Sequence, residues 1–210
     1  MFATFGLALT FLTLFPWPGN RLAAGEKLAA AMAWFPLVGL LLGGLLALLG
    51  WAGRFWLPAP VVAAGLVLTL TWATRALHLD GLADTLDGLG GGRTPEASLR
   101  IMKDHAVGAF GAAGLALDLL IKYSLLLALV LAGAWREMAL FPVFGRWAQV
   151  WLAYLSPYAR REGGLGEAMT TLTTGRTCAW ATGSCLLLAA GLGRGPGVVV
   201  LGAVALATWL

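Results

Sequence analysis

The sequence predicts an all-α, polytopic integral membrane protein built as a single helical bundle. Hydrophobic residues make up 60% of the 210-residue chain and charged residues only 11%, less than half of the roughly 25% usual in a soluble domain. Long stretches lack charge altogether, among them 28–53 and 55–74. Because about 20 apolar residues in a helix cross a bilayer core, each of these two stretches predicts a transmembrane helix.

Six segments in all have the composition of a transmembrane helix, and the last two are short and rich in glycine. They are 28–53, 55–74, 106–134, 137–156, 178–193 and 196–210. Residues 1–15 are also apolar but shorter, and the stretch "FPWPG" ends them. We interpret them as an interfacial or re-entrant segment rather than a seventh span. No basic region precedes them, so no signal peptide is predicted, and residues 1–210 are expected to form one membrane domain.

The basic residues predict the orientation of the bundle. With the N-terminus in the cytoplasm, nine fall inside (Arg21, Lys27, Arg75, Arg93, Arg100, Lys103, Arg160, Arg161, Arg176) and three outside (Arg54, Arg136, Arg194). The positive-inside rule favours this arrangement. It places segments 76–105 and 157–177 in the cytoplasm of a bacterium, under its inner membrane. The net charge of +4 indicates contact with anionic lipid or phosphorylated substrates rather than nucleic acid.

Three aspartates stand close together in "LHLDGLADTLDGLGGG", although the whole chain has only 10 acidic residues. Asp80, Asp84 and Asp87 are spaced i, i+4, i+7, which puts their carboxylates within about 60° of arc on one helix face. Like charges so placed repel one another. The face is either a solvated helix end near basic residues or a site for a hard divalent cation such as Mg²⁺. We favour the cation, because ionisable groups beside a membrane span are usually functional.

A second acidic motif follows in "IMKDHAVGAFG", where Asp104 stands between Lys103 and His105, with Arg100 just upstream. Carboxylates combined with cationic side chains suit phosphoryl transfer. In such sites a metal bridges the phosphates, and cations stabilise the charge spread over the transferring group. The two motifs together predict a metal-dependent site that handles phosphates.

These motifs resemble the cobalamin synthase family, the adenosylcobinamide-GDP ribazoletransferases. The resemblance rests mainly on "HLDGLADTLDG" and "IMKDHAVGAFG", and extends to "FLTLFPWP", "FPLVGLLLG" and "YARREGGLGEAM". It implies an integral membrane enzyme that requires Mg²⁺. The implied reaction joins adenosylcobinamide-GDP to α-ribazole, or its 5′-phosphate, and releases GMP. A homo-oligomer is one possible assembly state.

The resemblance also implies roles for individual residues. Asp80, Asp84, Asp87 and Asp104 are expected to be catalytic and to hold Mg²⁺ and the diphosphate, with Asp87 preferred as the general base. Candidate substrate contacts are His78, Arg100, Lys103, His105, Lys122, Arg160 and Glu162.

The chain departs from the family pattern in two places. His105 and Ala106 stand where the family commonly has serine and arginine, so His105 or Arg100 is expected to compensate for a phosphate-binding arginine. The family's late "GGxTGDxxGA" segment does not occur before Leu210. The sequence is then either truncated or lacks that segment, and activity is expected to suffer if the segment contributes to the site.

Several other polar and small residues have two interpretations. His78 points to the opposite helix face from Asp80 and is either a packing residue or a substrate contact. Asp118 and Lys122, four residues apart in a span, favour a mutually neutralising pair, although Lys122 could instead reach substrate. Regularly spaced glycines predict tight helix packing, and Arg146 is expected to face the interior of the bundle. The glycines are Gly39 and Gly43, and Gly108, Gly111 and Gly114.

Two other functions agree with parts of the sequence pattern. A CDP-alcohol phosphotransferase also uses clustered aspartates, but "DGLAD" has Asp84 where that family has arginine. A cation-coupled transporter would place its acids near the membrane midplane, rather than at one predicted cytoplasmic end.

Overall fold

The computed structural model describes residues 2–18, 25–160 and 163–209, which form helices and their connections. In chain order the α-helices are α1 (Phe2–Leu12), α2 (Gly25–Ala31), α3 (Phe35–Gly53), α4 (Ala59–Ala73), α5 (Leu77–Gly91), α6 (Pro95–Ile101), α7 (Ala109–Ala132), α8 (Trp135–Leu155), α9 (Leu165–Leu172) and α10 (Gly175–Trp209). A 3-10 turn at Met32–Trp34 joins α2 to α3. The all-α prediction is therefore confirmed.

Two helical runs in the described ranges are long and apolar enough to cross a membrane. They are Gly25–Gly53, which includes α2 and α3, and α7. The most apolar window of α7 is only 11% buried, so most of that surface faces outward, as expected of a helix surrounded by lipid. The pair α4 and α5 adds a third span only if it is counted as one element broken by an 86° bend. Membrane character is thus supported, whereas six spans are not confirmed.

The C-terminal part of the chain differs from the sequence-based expectation. The predicted spans 178–193 and 196–210 fall on a single helix, α10. This helix turns sharply, since the carbonyl oxygen of Ala189 lies 2.8 Å from the position a Cβ would take on Gly197. Eight residues of straight helix would separate the two positions by about 12 Å. At the other end, α1 has 11 residues, or about 16 Å, which is shorter than a span.

The helices enclose two apolar cores that meet along α3 and α8. One core joins α1, α2, α3, α8 and α10 around Phe35, Val38 and Val143. The other joins α3, α4, α7 and α8 around Leu46, Leu66 and Met138. Cys178 and Cys185 are both buried in the first core as free thiols.

The pair α3 and α8 packs closely because glycines on α3 leave no side chain between the backbones. A Cβ on Gly39 would lie 2.8 Å from Val143 Cα, and one on Gly43 would lie 2.9 Å from Ala139 Cα. The predicted packing role of these two glycines is therefore confirmed.

Replacing Gly43 by alanine should destabilise the bundle, because the new methyl group meets the α8 backbone, which cannot rotate away. We expect a loss of about 1–3 kcal/mol, typical of overpacking. Gly44→Ala is the matched control, since a Cβ at Gly44 has nothing within 4 Å. Thermal unfolding in detergent should show a lower Tm for Gly43→Ala and an unchanged or higher Tm for Gly44→Ala. Equal Tm values would contradict the packing.

A strained elbow sets the direction of α5. Arg75 and Ala76 adopt left-handed backbone conformations, with φ of 53° and 54°, each costing about 1–2 kcal/mol in a residue other than glycine. The Arg75 guanidinium donates hydrogen bonds to the carbonyl oxygens of Thr10 (2.5 Å) and Thr13 (2.9 Å). These bonds tie the elbow to the end of α1 and so hold α5 at its angle to α4.

Candidate active site

Asp80 and Asp84 form an acidic pair on α5, one turn apart. Asp80 is exposed and Asp84 is half-buried, and the negative charge of Asp80 acts on Asp84. Within the described ranges neither carboxylate accepts a hydrogen bond from the protein, so their oxygens are available to a ligand. We call these two residues the acid pair.

Asp87 is arranged differently from the acid pair, although it lies on the same helix. Its Oδ2 accepts a hydrogen bond from the backbone N–H of Gly108 (2.7 Å), and its Oδ1 accepts one from Gly111 (2.8 Å). Both donors belong to the first turn of α7, where backbone N–H groups lack intrahelical partners and a negative charge is favoured. Asp87 therefore caps α7 from a neighbouring helix.

Glycines make this capping contact possible. A Cβ on Gly108 would lie 2.5 Å from Asp87 Oδ1, and one on Gly111 would lie 3.0 Å from Asp87 Cγ. Gly114, one turn further, faces Leu86 of α5. The prediction that this glycine series serves helix packing is confirmed, and the structure adds that it brings α7 onto the Asp87 carboxylate.

Asp104 lies in the exposed connection between α6 and α7. Its Oδ1 accepts a hydrogen bond from the backbone N–H of Ala106 (3.2 Å), which shapes the turn. In the part of the chain that the structure describes, no three acidic, histidine or cysteine side chains converge as they would around a metal held by protein ligands alone. The four aspartates predicted as ligands are thus not gathered at one point.

Two cavities of similar volume differ in their lining. One, of about 540 Å³, is lined mostly by apolar side chains and does not suit phosphates, whereas the other, of about 530 Å³, includes cationic side chains in its lining. This second cavity, which we call the basic cavity, lies between α6 and the segment after α8. Its lining residues are Pro95, Glu96, Leu99, Arg100, Lys103, Ala159 and Arg160. Three predicted substrate contacts, Arg100, Lys103 and Arg160, are therefore brought together although up to 60 residues separate them in sequence.

Arg160 also connects the basic cavity to the acid pair. Its positive charge acts on Asp84, as does that of His105. The predicted contacts Arg160 and His105 therefore belong to the same electrostatic environment as the acid pair. Glu162, predicted alongside them, lies outside the described residues.

Local sequence explains why α6 presents its basic residues here. The Thr94 hydroxyl accepts a hydrogen bond from the backbone N–H of Ala97 (3.2 Å) and caps the helix, with Pro95 in its first turn. Gly88 on α5 and Gly92 just after the helix lie against Met102 and Ser98, leaving no room for side chains. The short helix is thereby packed against α5, and Arg100 falls in its last turn.

A third polar group lies between α4, α5, α7 and α8, in a cavity of about 210 Å³ that we call the interhelical cavity. Its polar lining includes His78, Lys122 and Arg146. Lys122 Nζ lies 2.6 Å from Asp118 Oδ2, which confirms the predicted pair. Arg146 is buried and faces the bundle as predicted, but its meeting with His78 and Lys122 was not predicted. The sequence signal for this polar group is a charged residue, Arg146, inside an apolar helix.

The acid pair fits a hard divalent cation of the type that the sequence implies. Mg²⁺ is usually held by one or two carboxylates together with waters and substrate phosphates, rather than by a complete protein cage. Two unengaged carboxylates that repel one another, beside a cationic cavity, supply such a partial site. Asp80 and Asp84 are therefore the residues that would hold the metal.

Comparison with known proteins identifies close sequence relatives. The sequence profile of the family described as Cobalamin-5-phosphate synthase matches residues 4–210. An adenosylcobinamide-GDP ribazoletransferase of Syntrophobacter fumaroxidans is 47% identical over 80% of this chain and 68% of its own length. The proteins of that name from Pelodictyon phaeoclathratiforme and Desulforamulus reducens are 45% and 41% identical, with 63% and 84% of their lengths covered. No solved structure matches the chain.

Proposed function

Since this chain belongs to the cobalamin-5-phosphate synthase family, we propose that it is an adenosylcobinamide-GDP ribazoletransferase. It transfers the adenosylcobinamide phosphate group to α-ribazole, or to its 5′-phosphate, and releases GMP. The observation that carries the proposal is the acid pair beside the basic cavity, with the charge of Arg160 acting on Asp84. A diphosphate lying across this junction would meet a metal at one end and cationic side chains at the other.

The reaction is a displacement at phosphorus. A ribose hydroxyl of the acceptor attacks the phosphoryl group attached to cobinamide, a new P–O bond forms, and the P–O bond to the GMP leaving group breaks. Mg²⁺ bound at the acid pair would neutralise charge on the diphosphate. Arg100 and Arg160 hold the phosphate oxygens, and stabilise the negative charge that GMP takes with it.

The proton of the attacking hydroxyl needs an acceptor near the acid pair. Asp87 suits this task poorly, because both of its oxygens already accept backbone hydrogen bonds. A carboxylate oxygen of the acid pair is free to take the proton instead. The proposal therefore moves the general base from Asp87, the residue preferred from sequence, to Asp80 or Asp84.

The membrane location is part of the same proposal. The apolar helices support a bilayer location, and the excess of basic residues in 76–105 and 157–177 supports a cytoplasmic position for the acid pair at a bacterial inner membrane. Nucleotides and Mg²⁺ are available there. No contact in the described structure favours the phosphotransferase or transporter alternatives.

The proposal is tested with purified protein in lipid, supplied with adenosylcobinamide-GDP, α-ribazole or its phosphate, and Mg²⁺. GMP release that requires both substrates and stops on chelation of the metal is the expected result. Release without an acceptor, which would be hydrolysis, or no release by well-folded protein would contradict it.

Arg160→Ala should weaken binding of the diphosphate substrate. A hydrogen bond to a charged group contributes about 1.5–3 kcal/mol, which corresponds to roughly a 10–100-fold rise in KM. Arg136→Ala is the matched control, because Arg136 is an exposed arginine at the start of α8 and does not line the basic cavity. Initial rates over a range of adenosylcobinamide-GDP concentrations measure KM. An equal KM in both variants would remove Arg160 from the substrate site.

A further inference from the structure

Arg146 carries a buried charge that the described part of the chain leaves unpaired. Its side chain is only 9% exposed, and its Nε has no hydrogen-bond partner. Among the described residues it forms no ion pair. An isolated buried cation is costly, and such residues are normally paired or face a ligand. The structure thus needs an anion near this guanidinium.

The surroundings of Arg146 add donors rather than a counter-charge. His78 also lines the interhelical cavity, and its Nδ1 is buried without a hydrogen-bond partner. Lys122 lines the same cavity, but its charge is balanced by Asp118 at 2.6 Å. Together with Asp118, these three side chains carry one net positive charge when His78 is neutral. That charge belongs to Arg146, which stays uncompensated.

The size and shape of the space agree with a bound oxyanion. The interhelical cavity has a volume of about 210 Å³, several times the roughly 30 Å³ that one water molecule occupies in the liquid. A guanidinium offers a fork of N–H groups that matches phosphate oxygens, and an ammonium adds a point charge. The polar side chains His78, Lys122 and Arg146 that line the cavity come from three helices, α5, α7 and α8.

A larger apolar space adjoins this one. The cavity of about 540 Å³ between α7, α8 and α10 shares Lys122 and Phe141 with the interhelical cavity. A ligand whose phosphate lies at Arg146 could place an apolar part there. The shared chemistry is a phosphate group, whether it belongs to a soluble phosphomonoester or to a phospholipid.

We propose that Arg146, Lys122 and His78 form an interhelical binding site for a phosphate group, separate from the acid pair. The site lies on the other side of α5, because His78 and Asp80 are about 200° apart around that helix. It therefore binds a phosphate other than the one held between the acid pair and the basic cavity. This inference does not depend on the transferase activity.

Thermal unfolding in a neutral detergent tests the site with inorganic phosphate, compared with sodium chloride at the same ionic strength. A phosphate-specific rise in Tm of roughly 2–4 °C is expected for the wild type. Arg146→Gln should lose the rise, and Arg136→Gln on the same helix should keep it. Without phosphate, Arg146→Gln should unfold at a higher temperature than the wild type, because it removes the unpaired charge. A merely structural arginine would give a lower Tm.

A second arm identifies the source of the phosphate. The wild type and Arg146→Gln are placed in nanodiscs of phosphatidylglycerol or of phosphatidylcholine. An Arg146-dependent rise in Tm with phosphatidylglycerol alone assigns the site to a lipid headgroup, whereas a rise with inorganic phosphate assigns it to a soluble phosphate. Either supports the site. No rise in the wild type with either probe, or an equal rise in Arg146→Gln, overturns it.

His78→Ala keeps the proposal testable if Arg146→Gln does not fold. This variant removes the imidazole from the cavity and leaves the arginine in place. It should weaken the response to phosphate by several-fold, measured as the phosphate concentration at half-maximal shift. An unchanged half-maximal concentration would exclude His78 from the site.

Discussion

Asp84→Asn should lower the rate of GMP release at saturating substrate by at least about 100-fold, the order of loss seen when one electrostatic stabiliser is removed from a site of phosphoryl transfer. The amide keeps the size of the carboxylate but cannot neutralise a divalent cation. Asp80→Asn should have a similar effect, because both carboxylates of the acid pair are free of protein hydrogen bonds. The measurement is kcat for GMP release, together with Tm as a check on folding.

Thr85→Ala is the matched control for these substitutions. Thr85 is the exposed neighbour of Asp84 on α5, and its hydroxyl donates only to the carbonyl oxygen of Gly81 (2.6 Å). Its kcat should stay within a few-fold of the wild type. Should Asp84→Asn retain full activity with unchanged Mg²⁺ dependence, the acid pair would not be the metal site.

Asp87→Ala should mainly lower the stability of the protein, whereas the substitutions in the acid pair mainly lower kcat. The substitution removes both hydrogen bonds that cap α7, each contributing about 1.5–3 kcal/mol when the acceptor is charged. We expect a total loss of at least about 3 kcal/mol, which for a chain of this size lowers Tm by roughly 6–12 °C. Thermal unfolding in detergent or nanodiscs measures the change.

Asp87→Asn separates capping from chemistry, because the amide keeps one acceptor oxygen and loses the other. Its Tm should lie between those of the wild type and Asp87→Ala, and its activity should follow the folded fraction. An unchanged Tm combined with complete loss of GMP release would show instead that Asp87 acts in the reaction, as a ligand or as the base.

The aspartate motif shows what helical periodicity can and cannot predict. The spacing of Asp80, Asp84 and Asp87 correctly places them along one helix. Their separate roles depend on α7, which approaches only Asp87 because Gly108 and Gly111 leave room for it. Periodicity describes one helix and contains no information about which neighbour contacts each turn. Sequence periodicity alone therefore cannot choose the general base among the three aspartates.

Backbone conformation and long-range contacts account for the other differences. The bend between α4 and α5 could not be predicted from a glycine, because the residues in the left-handed conformation there are Arg75 and Ala76. The basic cavity is lined by residues of α6 and by Arg160, and sequence spacing does not predict how close these lie in the fold. Most polar residues of the candidate site could be identified from sequence, because charged residues are scarce in this apolar chain and those near a membrane span are usually functional. Arg146 was recognised as buried, but its partners across α5 and α7 were not.

We assign Asp80 and Asp84 as the residues that would hold the divalent cation, and Asp87 as the residue that stabilises the packing of α7 on α5. Electron paramagnetic resonance of Mn²⁺, titrated into the protein with adenosylcobinamide-GDP bound, measures metal affinity directly. The structure predicts at least about tenfold weaker Mn²⁺ binding in Asp84→Asn, equivalent to about 1.4 kcal/mol, and near wild-type binding in folded Asp87→Asn. Near wild-type affinity in Asp84→Asn, with a large loss in Asp87→Asn, would contradict the assignment.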